Sequence, residues 1–128
     1  MTTIRELQER CGKAAGAKGF HEDRPNPDYF VGSARAEELL ALGNWQGNKL
    51  MLIVSEVAEA QDELRKGHAA DETYHSLGNK PEGVPSELAD VVIRVLDFCY
   101  TEGIDLESII EEKLAYNATR EYKHGKKF

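Results

Sequence analysis

The feature that most constrains this chain is a pair of apolar helical stretches that each carry two acids three residues apart. Glu56 and Glu59 form the first pair, and Glu87 and Asp90 form the second. An i, i+3 spacing puts both acids of a pair on one helix face, where like charges repel. Burying two such pairs is costly unless a cation compensates them. The pattern therefore predicts two helices whose acids surround a shared cation.

The donor set indicates which cation. Hard divalent cations take oxygen ligands, and Mg²⁺ suits a few carboxylates combined with substrate phosphates. Glu56, Glu59, Glu87 and Asp90 are therefore the candidate ligands and catalytic residues of an Mg²⁺ site for a polyphosphate, with Mn²⁺ as a substitute ion. The alternative is two solvated acidic faces that bind nothing.

Composition excludes several classes of protein. A chain of 128 residues is one domain by length, so residues 1–128 are treated as a single domain. The formal net charge of −7 argues against a nucleic-acid binder, which would be basic. No signal sequence and no apolar run of membrane-spanning length stand out, so we expect a cytoplasmic protein without a membrane partner. Cys11 and Cys99 have no metal-ligand spacing and are expected to be buried free thiols.

Hydrophobic periodicity predicts helices and no strand. Thr3 caps the first helix, Gly43-Asn44 ends a short second one, and Asp105 caps the last. Loops are expected at 19–33 and at 67–83, the second with room for one turn of helix at 69–77. The predicted helices span residues 3–18, 34–42, 48–66, 84 to about 100, and 106 to about 121.

The order of three sequence blocks resembles the MazG-like nucleotide pyrophosphohydrolases of the all-α NTP pyrophosphatase superfamily. The first two blocks are the acid pairs, read as E-x-x-E and E-x-x-D with a long spacer from Ala60 to Ser86. The third is a closing K-x-x-x-N-x-x-R segment with Lys113, Asn117 and Arg120. The step Gly19-Phe20-His21 is also similar to a small MazG-like subgroup. The resemblance covers roughly residues 1–21 and 45–128 and implies an all-α, four- to five-helix bundle assembled as a homo-oligomer.

The resemblance also implies roles for residues outside the acid pairs. Lys113, Asn117 and Arg120 correspond to substrate-binding positions, although a basic last turn that complements the helix dipole is the structural alternative. The region before the first acid pair contributes to base recognition in this family. Trp45 and Lys49 are therefore substrate-binding candidates, with core packing and solvent exposure as their respective alternatives.

The resulting expectation is an enzyme that uses Mg²⁺ and water to convert a (d)NTP into a (d)NMP and pyrophosphate. The main alternative is a non-catalytic protein of the same fold that binds nucleotides through metal or serves assembly. A relative acting on dUTP or phosphoribosyl-ATP is a third possibility. We expect a homodimer or a tetramer. The C-terminal segment, or residues 22–48, which are an insertion relative to compact members of the family, would reach the neighbouring subunit's site.

Several side chains near these motifs have two interpretations each. Glu63 is an outer metal ligand or an ion-pair partner of Lys66, and Asp97 is an outer acid of the site or a partner of Arg94. His124 and Lys126 are possible phosphate or base contacts. The remaining histidines show no ligand spacing and are expected to be surface residues: His21, His68 and His75.

Overall fold

Four α-helices and one small hairpin make up the described chain. The computed structural model describes residues 1–125, with side chains as far as Lys123, so Lys126 and the His124 side chain lie outside the described residues. Short 3-10 helices occupy Pro27–Tyr29, Leu77–Asn79 and Tyr122–Gly125. The main elements are α1 (Ile4–Ala17), α2 (Gly32–Arg65), β1 (Tyr74–Ser76), β2 (Lys80–Glu82), α3 (Val84–Glu102) and α4 (Leu106–Ala118).

The central helix is α3, which packs against α1 on one side and α2 on the other. The α1–α3 contact is close because Gly12 is buried and a Cβ there would clash with the ring of Tyr100. Helix α1 begins as predicted, since the Thr3 side chain accepts a hydrogen bond from the Glu6 amide and the Glu6 carboxylate accepts one from the Thr3 amide. A capped α1 thus lies against the half of α3 that follows the acid pair.

Helix α2 is one helix of 34 residues, so the predicted break at Gly43-Asn44 is wrong. A Cβ at either Gly43 or Gly47 would meet no neighbouring atom, so close packing does not require these glycines. A glycine inside a helix costs only about 1 kcal/mol relative to alanine, and no proline interrupts this segment. The two shorter predicted helices are therefore continuous through the glycines.

An antiparallel hairpin replaces the loop predicted before α3, so the expectation of no strand is wrong at this point. Tyr74 pairs with Glu82, and Ser76 pairs with Lys80. Gly78 and Asn79 at its tip both have positive φ, which glycine and asparagine adopt most readily. Strands of three residues with polar sequence carry too little periodicity to be predicted. The hairpin places Tyr74 beside the acidic face of α2.

Helix α2 buries acidic side chains and exposes apolar ones, the reverse of what the core of a monomer requires. Glu56, Ala60 and Glu63 are its buried residues, whereas the stripe of Leu50, Val54, Val57 and Leu64 is exposed. Across the described residues, the buried hydrophobic side chains are confined to Ala60, Val84, Leu96 and Cys99. The fold is helical, as expected, but a single chain covers little of its apolar surface. No helix in the described range is long and apolar enough to cross a membrane.

Candidate metal centre

Three of the four predicted ligands converge between α2 and α3. One carboxylate oxygen from each of Glu56, Glu87 and Asp90 lies within 4.8 Å of the others. Glu56 is 8% exposed, Glu87 is half-buried and Asp90 is exposed, so the group spans from the helix interface to solvent. The pairing of two acidic helix faces, which spacing alone cannot show, brings these acids together.

Arg94 binds one member of this group. Its Nε donates a hydrogen bond of 2.8 Å to Glu56 Oε1, so the predicted ion pair between Arg94 and Asp97 is wrong. Burial raises the pKa of Glu56, but the hydrogen bond and charge of Arg94 outweigh it, with help from Glu59 and Glu87. The pKa of Glu56 is therefore below its usual value, and this carboxylate remains ionised.

The other two acids of the cluster retain protons more readily. Burial, with hydrogen bonding and charge from Glu59 and Glu56, raises the pKa of Glu87 to about 7. Burial and the charge of Glu56 also raise the pKa of Asp90, although Arg94 and Lys80 oppose this. The positive charge supplied by the chain is thus insufficient for all the acids to ionise easily. A divalent cation would relieve the repulsion.

Glu59 lies at the edge of the cluster. Its side chain is exposed, and it is near enough to contribute to the raised pKa of Glu87 through hydrogen bonding and charge. It is not among the three acids whose oxygens lie within mutual ligand distance. The geometry therefore gives Glu56, Glu87 and Asp90 as the compact set, with Glu59 beside them on the solvent side.

A second acidic group adjoins the first through Glu87. Oxygens of Glu63, Glu82 and Glu87 also lie within 4.8 Å of one another. Glu63 is 5% exposed, and its Oε2 accepts a hydrogen bond of 2.8 Å from the Tyr74 hydroxyl. The predicted Glu63–Lys66 ion pair is wrong because Lys66 pairs with Asp62. Glu63 is therefore a buried acid held by the hairpin.

His68 is not the surface residue that the sequence suggested. Its ring stacks on Tyr74 with centroids 4.6 Å apart, and its Nδ1 lies 2.6 Å from Glu72 Oε2. Its Nε2 lies 3.6 Å from Glu63 Oε2. Tyr74 and His68 together form a polar wall against the second acidic group. His68 and Glu72 lie between α2 and β1, outside any helix, so helical spacing gave no signal for this contact.

A cavity of about 670 Å³ opens beside the three converging acids. Glu56, Asp90 and Arg94 line it together with Trp45 and Lys49, both of which the sequence had suggested as substrate contacts. The Lys49 ammonium lies 4.8 Å from the Trp45 ring centroid. Trp45 Nε1 donates to Asp23 at 3.1 Å, which fixes the indole at the cavity wall. A volume of this size is typical of a small-ligand site.

Sequence reasoning missed the rest of the cavity wall. Arg10 of α1 and Lys18, the residue that ends this helix, bring positive charge to it, and Phe20 and Phe98 bring aromatic surface. Arg10 and Lys18 are eight residues apart, a helical spacing that is the signal that could have identified them. The cavity thus combines acids, cations and aromatic rings from three helices.

The C-terminal stripe of Lys113, Asn117 and Arg120 lies elsewhere. Within the described residues, none of the three lines the cavity or hydrogen-bonds to the acids. Their cations lie near Tyr116 instead, with Lys113 Nζ 5.6 Å and Arg120 Cζ 5.9 Å from its ring centroid. Helix α4 also ends at Ala118, so the predicted end near residue 121 is wrong and Arg120 follows the helix.

Comparison with protein-family models, curated proteins and solved structures finds no match to this chain.

Proposed function

We propose that this protein is an Mg²⁺-dependent nucleoside triphosphate pyrophosphohydrolase that converts a (d)NTP into a (d)NMP and pyrophosphate. The observation that carries the proposal is the convergence of Glu56, Glu87 and Asp90 from two helices at the edge of a cavity large enough for a nucleotide. The motif order that resembles the MazG-like enzymes supports the same reaction. We propose that the protein carries out this reaction in the cytoplasm.

The donor set fits Mg²⁺. Glu56, Glu87 and Asp90 offer oxygen ligands only, and Asp90 is exposed enough to leave room for water and phosphate oxygens. The pKa of Glu87 near 7 indicates carboxylates crowded without enough compensating charge. Mn²⁺ has similar ligand preferences and would substitute. Bound Mg²⁺ would supply Lewis-acid polarisation of phosphate oxygens and a more acidic water.

The chain's own residues have separate roles in this reaction. Glu56 is a weak base because Arg94 lowers its pKa, whereas Glu59 lies exposed at the edge of the cluster and outside the compact ligand set, where it is placed to accept the proton of the attacking water. Lys49 and Trp45 line the same cavity and would orient the nucleotide. Arg10 and Lys18 add positive charge that attracts phosphate oxygens.

Self-association belongs to the proposal because the chain leaves too much apolar surface exposed. Its accessible surface is 9523 Å², whereas a folded monomer of 14.3 kDa exposes about 6,800 Å². The difference of roughly 2,700 Å² is of the order buried in large obligate interfaces. The stripe of Leu50, Val54, Val57 and Leu64 on α2 is the natural surface for a second copy. We expect a homodimer or a tetramer.

Light scattering during size exclusion tests the assembly. The intact protein should have at least twice the 14.3 kDa mass of one chain. Val54→Asp, which puts a charge into the apolar stripe, should lower that mass. Leu77→Asp is the matched control because Leu77 is 99% exposed at the hairpin tip. A monomer with full activity would overturn the assembly while leaving the reaction untouched.

Pyrophosphate release with Mg²⁺ tests the reaction itself. We expect release from at least one common or modified NTP or dNTP, with the monophosphate as the second product. Nucleotide binding without turnover for every substrate in such a screen would favour the non-catalytic alternative. Release of inorganic phosphate with no pyrophosphate would place the cleavage at a different bond.

A further inference from the structure

The cavity contains a carboxylate that the acid cluster does not use. Asp97 lies two turns beyond Asp90 on α3 and lines the same cavity. Its Oδ1 is 2.7 Å from His21 Nε2 and 3.5 Å from Thr101 Oγ1. Thr101 Oγ1 also lies 3.1 Å from His21 Nε2 and donates to the Asp97 carbonyl at 2.9 Å. His21 is thus the donor that holds this carboxylate oxygen, while the Thr101 hydroxyl, whose one hydrogen goes to the Asp97 carbonyl, lies beside both groups.

This arrangement fixes the hydrogen-bonding character of the group. An ionised carboxylate only accepts hydrogen bonds, so His21 Nε2 must carry the hydrogen that it shares with Asp97. Of the two carboxylate oxygens of Asp97, only Oδ1 has side-chain partners among the described residues. No buried side-chain polar atom in the described part of the chain lacks a partner. Asp97 Oδ2 is therefore not fully buried, and because the Asp97 side chain is 21% exposed, this oxygen can accept a hydrogen bond from a ligand.

The surroundings of Asp97 suit a flat heterocycle. Phe20, Trp45 and Phe98 line the cavity and offer faces on which a ring can stack. Seven residues of helix separate Asp97 from Asp90, which corresponds to about 10 Å along the axis. A nucleotide with its phosphates at the acid cluster would bridge that separation with its sugar and bring its base to Asp97.

We propose that Asp97, positioned by His21 and Thr101, reads the base of the nucleotide and selects bases with an exocyclic amino group. The proposal rests on the proposed function, because it assumes that the cavity takes a nucleotide. An amino group on cytosine, adenine or guanine would donate to Oδ2, just as the cytosine N4 amino group donates to carboxylates in nucleic-acid recognition. The carbonyl oxygen of uracil at the same position would face a carboxylate with no donor between them, which leaves both unpaired.

Matched pairs of substrates test this selection. CTP and UTP differ at the amino or carbonyl group of position 4, and ATP and ITP differ in the same way at position 6. We expect kcat/KM to favour the amino member of each pair by roughly tenfold or more, the worth of one hydrogen bond to a charged group. Asp97→Asn keeps the shape of the side chain and adds a donor, so it should remove the preference or reverse it in favour of UTP and ITP.

Two further variants distinguish base selection by Asp97 from a general effect on folding. His21→Phe keeps an aromatic ring but removes the donor that holds Asp97, so it should weaken the preference without reversing it. Asp71→Asn makes the same chemical change in an exposed loop residue and should leave the ranking of bases unchanged. Equal kcat/KM for CTP and UTP in the wild-type protein would overturn the proposal. So would an Asp97→Asn variant in which kcat/KM falls by the same factor for every substrate.

Calorimetric binding of CMP and UMP distinguishes this proposal from the proposed reaction. Tighter CMP binding that is lost in Asp97→Asn, in a protein that releases no pyrophosphate, would support base selection and overturn the enzymatic function. Turnover of several NTPs without an Asp97-dependent ranking would support the reaction and overturn base selection. Neither turnover nor monophosphate binding would overturn both.

Discussion

The acid cluster was predicted from helical spacing and the C-terminal cationic stripe from the family resemblance, and the structure brings together the residues of the first but places the second away from them. Glu56, Glu87 and Asp90 meet because α2 and α3 pack directly against each other. Lys113 and Arg120 project from an exposed region, and α4 contacts α1 rather than the acidic faces. Helical spacing places residues on one face of one helix. It does not determine which surface that face will meet, and this requires the tertiary packing.

The difference is informative about assembly. Arg94 already donates to Glu56, so within one chain a triphosphate at the acid cluster would rely on the cavity cations Arg10, Lys18 and Lys49, and further positive charge would strengthen its binding. The stripe has the charge but no anionic partner within its own chain among the described residues. A second copy that covers the apolar face of α2 would be able to bring one region to the other. The predictions below test each half of this comparison and then the link between them.

The largest effect is expected from the acid cluster. Asp90→Asn and Glu59→Gln should each lower pyrophosphate release by more than about 100-fold, the loss that even indirect changes at metal sites approach. Helical content by circular dichroism should stay unchanged because both substitutions are nearly isosteric. Asp62→Asn, an exposed acid on the same helix as Glu59, is the control and should retain activity. Near-normal turnover in both variants would show that these residues do not form the metal site.

The next effect concerns the stripe and its link to the cluster. Arg120→Ala should lower kcat/KM by roughly 10- to 100-fold through loss of a charge-assisted hydrogen bond to phosphate. Mg²⁺ binding without nucleotide should persist. Arg65→Ala, an exposed arginine at the end of α2, is the control. Unchanged kinetics with lost metal affinity would reverse the roles of the two regions.

Mixing two impaired variants decides whether Arg120 acts on the partner subunit's site. Asp90→Asn and Arg120→Ala chains, denatured and refolded together, would form hybrids in which one site has both wild-type residues if Arg120 acts on its partner. The activity of the mixture should therefore rise above that of either variant alone. If Arg120 acts within its own chain, every hybrid site has one defect and the activity of the mixture stays at the mean of the two variants.

The extent of successful prediction follows the same division. Thr3 and Asp105 cap α1 and α4 as expected, because capping depends on residues that are close in sequence. The break at Gly43-Asn44 was wrong because packing elsewhere along α2 outweighs the small cost of two glycines. The pairing of His21 with Asp97 could not be predicted, since it joins residues 76 positions apart.

A pH-dependent response of the metal-free protein tests the cluster more finely. The folded pKa of Glu87, about 7, is above its ordinary value of 4.5, so folding takes up a proton. The stability from this group is fully present below pH 4.5 and is lost as pH rises through 7. Mg²⁺ requires the carboxylate, so the increase in Tm that it causes should grow as pH rises through 7. In Glu87→Gln this growth should largely disappear. An Mg²⁺ effect on Tm that is equal on both sides of pH 7 would contradict the assignment.

The smallest effect defines where the acid cluster ends. The hydrogen bond to Glu63, followed by burial and the charge of Glu63, raises the pKa of Tyr74 to about 12. The absorbance of the Tyr74 phenol should titrate at that value in the wild-type protein and nearer 10 in Glu63→Gln. Because the folded pKa is raised, the contribution of Tyr74 to stability is present below pH 10 and lost as pH rises through 12. Tyr29, 83% exposed, is a reference phenol that Tyr29→Phe identifies in the spectrum. If Glu63 only anchors the hairpin, Mg²⁺ added at neutral pH should leave the near-ultraviolet absorption of Tyr74 unchanged, because its hydroxyl keeps the same acceptor. A blue shift of the Tyr74 absorption with Mg²⁺ would instead show that Glu63 has released the hydroxyl to bind the cation, which would make it a metal ligand alongside Glu87.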